Sequence, residues 1–223
     1  MEKRSGTQHL WRVLRRMGFR LQKVTPRGRA GHRNQPQAAT LVPGHVLCPC
    51  AGEIDFLDES GVTVGMTPRY ARCLGGGRIH EGTLQGHWKT LTMLGAMSSR
   101  GMLAMMTIEE ATDTDIFLAC LDHVLCPKLK PGDVVVIDNL SSHKVDGVRQ
   151  RIEQCGAELL YLPPYSPDLN PIEKAWAKLK QILRSTHARA AEALDQIITD
   201  ALPQITPDNA QAWFRLRLGP IHQ

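Results

Sequence analysis

No run in this 223-residue chain approaches the roughly 20 consecutive apolar residues that a membrane-spanning helix requires, which argues against a membrane partner. The N-terminus has no apolar core of the kind a secretion signal carries, so the expected compartment is cytoplasmic. The six cysteines (Cys48, Cys50, Cys73, Cys120, Cys126 and Cys155) form no CxxC pair and no second cluster. Free thiols in a reducing compartment are therefore expected rather than disulfides. His45 stands near Cys48 and Cys50, but the spacing is poor and no partner pair follows, so zinc is not expected. Internal repeats and low-complexity tracts are absent. Acid is missing from one region only. Residues 1–35 hold ten Lys or Arg against the single acid Glu2, a net charge of +9; the whole chain carries +5, which leaves −4 on residues 36–223. A basic arm ahead of a mildly acidic remainder points to a polyanion contact by the arm, against the plainer reading of a solvated tail.

What is present is enough for one α/β domain of about 150 residues with a small appendage. Hydrophobic content of 42% and charged content of 22% are those of an ordinary soluble globular protein. In TQHLWRVLRRMGFRL (7–21), Leu10, Val13, Leu14 and Met17 recur at helical spacing, with Arg12, Arg15, Arg16 and Arg20 on the other face and Gly18 as a helix stop. Such a helix, with Lys23 extending the basic set, is expected to lie on phosphates as the last helix of a helix-turn-helix. Residues 24–52 then lose periodicity, punctuated by Pro26, Gly28, Gly31, Pro36, Pro43, Gly44, Pro49 and Gly52. A structureless stretch of that length is uncommon inside a compact domain, so a boundary is expected there. The division is a DNA-binding segment at 1–25, a linker at 26–52 and the main domain at 53–217.

From Glu53 onward the pattern is α/β. EIDFLD reads as a first strand, and TLTMLGAMS (90–98) and MLAMMTI (102–108) as a hairpin turning at Ser99-Arg100-Gly101. TDIFLACLDHVLC (114–126) reads as a helix, and DVVVID as a central strand covered on both faces. A helix over 144–155, a strand over 157–162 and helices over 170–184 and 188–201 complete the pattern. Antiparallel strands followed by alternating helix and strand predict one mixed sheet flanked by helices.

Three acids stand out. The strand at 53–57 leads to Asp58, the strand at 133–137 leads to Asp138, and a helix opening at Asn170-Pro171 carries Glu173 in its first turn. Two Asp at strand ends and one Glu on a helix can converge on one sheet edge. Three carboxylates in one place repel unless a divalent cation neutralises them, and hard oxygen donors select Mg²⁺ or Mn²⁺. With two ions about 3.5–4 Å apart, such a site suits phosphoryl transfer on nucleic acid. Each acid also has a plainer reading. Glu173 can close a capping box on Asn170, Asp138 can end a strand before Asn139, and Asp58 can form a turn before Gly61. Asp55 competes with Asp58 but faces the opposite side of an alternating strand. His143 can contact substrate or serve structure, and Trp176 reads as core rather than a base-stacking residue.

FLDESG, VVIDNLSSHK and LPPYSPDLNPIEKAWAKLK together resemble the catalytic core of DDE transposases, and most nearly the bacterial insertion-sequence family numbered six-thirty, related to the mariner elements. Between Asp138 and Glu173 lie 34 residues (139 to 172), the spacing typical of that branch. The likeness spans roughly residues 53–217, and TPRYARC (67–73) resembles the basic strand-turn segment after the first Asp. The resemblance implies an RNase H-like fold and Asp58, Asp138 and Glu173 as metal-binding catalytic residues for two Mg²⁺ ions, with Mn²⁺ able to substitute. It further implies cleavage at terminal inverted repeats, joining to a TA-containing target, a homodimer during synapsis and a nucleoid-associated, cytoplasmic life. The rival expectations are a non-catalytic DNA-binding remnant and a nuclease of the same fold without strand transfer.

The N-terminal part departs from that pattern. Members of the family carry a full helix-turn-helix region of about a hundred residues before the core, and here only TQHLWRVLRRMGFRLQK resembles its tail. A truncated or frameshifted copy is expected to keep the catalytic core and lose specific end recognition.

Overall fold

The computed structural model describes residues 19–22, 40–43, 52–64, 66–67, 89–109, 111–138, 146–163, 166–186 and 190–218. Among these residues seven strands form two sheets. A short ribbon pairs β1 (Phe19–Gln22) antiparallel with β2 (Thr40–Pro43). The main sheet contains β3 (Ile54–Thr63), β4 (Thr90–Ser98), β5 (Gly101–Ile108), β6 (Val134–Ile137) and β7 (Glu158–Tyr161), in the spatial order β5-β4-β3-β6-β7. β3, β4 and β5 run antiparallel in succession, whereas β3, β6 and β7 are mutually parallel. This is the expected mixed sheet flanked by helices. Five α-helices accompany it among the described residues: α1 (Thr114–Cys120), α2 (Asp146–Gln154), α3 (Ile172–Thr186), α4 (Ala191–Ala201) and α5 (Pro207–Leu218).

Strand alternation sorts the core into two layers. Phe56, Met93, Met97, Val134, Val136 and Leu160 face α3, α4 and α5, meeting Trp176, Leu179, Leu183, Leu194, Ile198 and Phe214. Their neighbours Leu57, Leu94, Ala96, Val135, Ile137 and Leu159 face the other way, onto Phe117, Leu121, Leu125, Val148 and Ile152. A sheet covered on both faces explains why β6 reads as an unbroken β-branched run, VVVI. Phe56 and Phe214 meet edge to face with centroids 5.5 Å apart, tying the central strand to the last helix. The apolar positions Ile172, Ala175, Trp176, Leu179 and Leu183 make one stripe along α3. Asp113 caps α1 by accepting a 2.8 Å hydrogen bond from the Ile116 amide. Beyond Cys120 the helix widens into a π turn (Leu121–Leu125) and then tightens over Cys126–Lys128, so the expected helix at 114–126 is not a uniform one.

Four local expectations are corrected. Arg20 lies on β1 and not on a helix, because Phe19-Arg20-Leu21-Gln22 alternates apolar with polar and finds a pairing partner in Thr40–Pro43. That partner lies inside the stretch read as structureless linker, where TLVP is a short β-prone segment among glycines and prolines. Asp58 sits within β3 and not beyond its end. The strand continues through the DESG stretch to Thr63, since each of these residues is paired to β4 as far as Thr63 opposite Thr90. Asn170 does not cap α3 with its side chain, which donates to Asp58 on β3 instead. Arg12, Arg15, Arg16, Lys23, His143 and, except for Thr67, the TPRYARC segment lie outside the described residues.

Candidate functional site

The parallel pairing of β3 with β6 sets Leu57 opposite Ile137, and the next residues along the two strands are Asp58 and Asp138. Asp58 occupies the face of β3 that looks toward α3. There it is 8% exposed, while Asp138 at the end of β6 is half-buried. Glu173 stands exposed in the first turn of α3. Asp58 feels the other two acids: it is raised from 3.8 to about 7, chiefly by burial, with further increments from the charges of Glu173 and Asp138. The fold thus brings Glu173 and Asp138 near enough to Asp58 for their charges to be felt there. Among the described residues, no three His, Cys, Asp or Glu are gathered closely enough to hold a metal ion as they stand.

Two donors hold the Asp58 carboxylate, and the first of them also works against the rise. The Glu59 amide donates to Asp58 Oδ1 at 2.9 Å, and Asn170 Nδ2 donates to Oδ2 at 3.0 Å. The Trp176 indole N–H also lowers the Asp58 pKa, although it makes no hydrogen bond of normal geometry. It acts as a nearby dipole rather than through a formed bond, since an electrostatic influence needs only proximity and a hydrogen bond needs alignment as well. Trp176 is fully buried, as its reading as core expects. It fits there because Gly95, the β4 partner of Asp58, has no side chain: a Cβ at Gly95 would come within 2.7 Å of Trp176 Cη2.

The segment leading into α3 is built to aim Asn170 at β3. A short 3-10 turn (Pro167–Leu169) ends with the Asn170 amide bonded to the Pro167 carbonyl at 3.0 Å. That amide is therefore not available to Glu173 in a capping box. Pro171 restricts its predecessor to extended backbone, and Asn170 accordingly adopts φ −100°, ψ 104°. Arg217 of α5 holds the same turn from outside, with Nη1 3.2 Å from Asp168 Oδ1. Sequence reasoning singles out neither the Asn170 side chain nor Gly95 as part of the site. Their contribution depends on a tertiary contact 112 residues away for Asn170 and on cross-strand register for Gly95.

The donor set fits a hard divalent cation. Asp58, Asp138 and Glu173 offer carboxylate oxygens whose mutual repulsion a cation would relieve, and the buried Asn170 Oδ1 has no hydrogen-bond partner among the described residues.

Comparison with known proteins agrees with this architecture. The profile of the DDE superfamily endonucleases matches residues 53–197. The fold superimposes on a Mos1 transposase paired-end complex with the left transposon end, with TM-score 0.62 and 17% identity over 95% of this chain and 67% of that one. A pre-cleavage Mos1 transpososome gives TM-score 0.63 at 16% identity, over 94% and 67% of the two chains. The catalytic domain of Mos1 mariner transposase gives 0.56 at 16% identity, over 74% and 76%. No curated protein sequence matches the chain significantly. The sheet has the RNase H-like fold of the Mos1 catalytic domain, and with the profile covering well over half of its length, the chain belongs to the DDE superfamily of endonucleases.

Proposed function

We propose that this protein is a DNA transposase of the insertion-sequence family numbered six-thirty, cutting at the inverted repeats of a mobile element and joining the ends to a TA-containing target. The observation that carries the reading is the meeting of Asp58 and Asp138 across the β3–β6 pairing, with Glu173 close enough to raise the Asp58 pKa. The Mos1 structures, which include paired-end complexes with Mg and with Mn, lend the reading further support.

In this proposal Asp58, Asp138 and Glu173 hold two Mg²⁺ ions, which Mn²⁺ can replace. When bound, such a pair supplies activation of a water or 3′-hydroxyl and stabilisation of the leaving oxygen of a phosphodiester. The protein's own part is positional. β3 and β6 bring two carboxylates to neighbouring strand positions, α3 carries the third, and the buried Trp176 lies beside Asp58. Arg12, Arg15, Arg16 and Lys23, with Arg20 from β1, supply contacts to the DNA backbone, and binding through them weakens steeply with salt. A homodimer brings two ends together.

The test is incubation of the purified protein with Mn²⁺ and a supercoiled plasmid bearing the element's ends, beside Asp138→Asn. The expected result is nicking and joining by the parent and neither by the variant. Nicking without joining would leave a nuclease of the same fold. Equal activity in Asp138→Asn would overturn the metal assignment.

A further inference from the structure

Asn170 is 4% exposed, and its side chain has two jobs open to it at the start of α3. An Asn there ordinarily turns its Oδ1 to a helix amide. Here Oδ1 bonds to nothing among the described residues, and Nδ2 instead reaches 3.0 Å to Asp58 Oδ2 on β3. The orientation is imposed from both sides of the residue. Pro171 keeps Asn170 extended and the Asn170 amide is bonded to the Pro167 carbonyl, which fixes the backbone from which the side chain reaches β3. The other Asp58 oxygen is taken by the Glu59 amide at 2.9 Å. Each carboxylate oxygen thus accepts one protein hydrogen bond and keeps a lone pair. A carboxylate held at both oxygens cannot rotate about its terminal bond without breaking one of them.

We propose that Asn170 is a positioning residue for divalent-ion binding: through Nδ2 it locks the plane of the Asp58 carboxylate, and it leaves Oδ1 as a buried acceptor facing no protein donor among the described residues. This rests on the metal-binding role proposed for Asp58 and deepens it. Hydrogen-bond partners standing behind a metal ligand commonly contribute 10–100-fold to affinity, by removing the freedom the ligand would otherwise lose on binding.

The test is isothermal titration of Mn²⁺ alone into the full chain, without DNA, for the parent, Asn170→Ala, Asp58→Asn, the double variant of these two, and Asp138→Asn. Each is accompanied by a thermal melt of the ion-free protein. Asn170→Ala is expected to weaken Mn²⁺ binding about 10–100-fold, and to add no further loss once Asp58 is already Asn. If Asn170→Ala does not fold, Asn170→Leu, which keeps the branched shape and lacks the donor, takes its place with the same expectation. Unchanged Mn²⁺ affinity in the folded variant would overturn the proposal while leaving the metal site standing. Equal losses on the parent and Asp58→Asn backgrounds would also overturn it, since that marks general loosening. If the parent shows no saturable Mn²⁺ binding that Asp138→Asn removes, the metal reading itself fails, and this inference falls with it.

Discussion

Asp55 and Asp58 lie three positions apart on β3, both more than nine-tenths buried, and burial is the first cause that raises each to about 7. Around Asp58 the protein supplies two hydrogen-bond donors, and the charges that oppose its ionisation come from Glu173 and Asp138. Around Asp55 it supplies none among the described residues: both carboxylate oxygens are unpaired, Asp133 and Glu53 push the pKa up, and only Arg100 pulls it down. Asp133 spends its own oxygens on the Glu53 and Lys130 amides at 2.8 Å each. Equal desolvation therefore says little about role. What separates the two is whether the structure provides for the ionised form, and it does so where β3 meets α3.

The largest expected effect tests that contrast directly. Asp58→Asn is expected to lower Mn²⁺-dependent plasmid nicking on the order of 10³-fold, while Asp55→Asn stays within about threefold, because the charge it removes plays no part in holding an ion. Comparable losses in both would erase the distinction.

Next comes stability. Between pH 4 and 7 the folded protein keeps the Asp55 proton that the unfolded chain has released, so Asp55 destabilises increasingly as pH rises, and evenly above about 7. Asp55→Asn is expected to gain roughly 2–4 kcal/mol over the parent at pH 8 and nothing at pH 3, read from urea midpoints. A gain independent of pH would show that packing, not charge, is at issue.

Much of this architecture is legible in the amino-acid sequence. Strong periodicity marks β4, β6 and α3 because each is buried along a whole face or on both. Asp138 stands out because it follows a long apolar run, Asp58 because it follows a strand-like stretch, and Glu173 because Asn170-Pro171 marks a helix start. The sequence places Asp58 at a strand end because DESG looks like a turn, and only its pairing with β4 shows that the strand continues. Asn170 reads as a cap for a similar reason: local sequence favours that use, and a partner 112 residues away overrides it. The β1–β2 ribbon escapes a sequence reading because four alternating residues in β1 are too few to outweigh the helical spacing before them, and TLVP is lost among glycines and prolines.

Smaller effects sharpen each side of the comparison in turn. Gly95→Ala sets a methyl against the Trp176 ring behind Asp58 and is expected to destabilise by about 1–3 kcal/mol, measured by thermal or urea unfolding. On the Asp55 side, Arg100→Ala removes the ion pair to Glu53, whose partners stand 2.6 Å apart on a largely exposed surface. Its expected cost is below about 1 kcal/mol, shrinking further with added salt. A larger loss there would mean that Arg100 provides for an ionised Asp55 after all.

The parallel union of β3 and β6 joins segments far apart in the chain, with Ile54 opposite Val134. Contacts of that span form late, after the local β4–β5 hairpin, and cannot form at all until β6 has been synthesised. Glu173 arrives later still, with α3. Under the proposed function, a nascent chain beside its own gene carries Asp58 through about half of the domain's synthesis without a partner acid, and so holds no cutting centre until later. The order of the residues along the chain would then work as a timer: the proposed action on DNA becomes possible only once the greater part of this domain has left the ribosome.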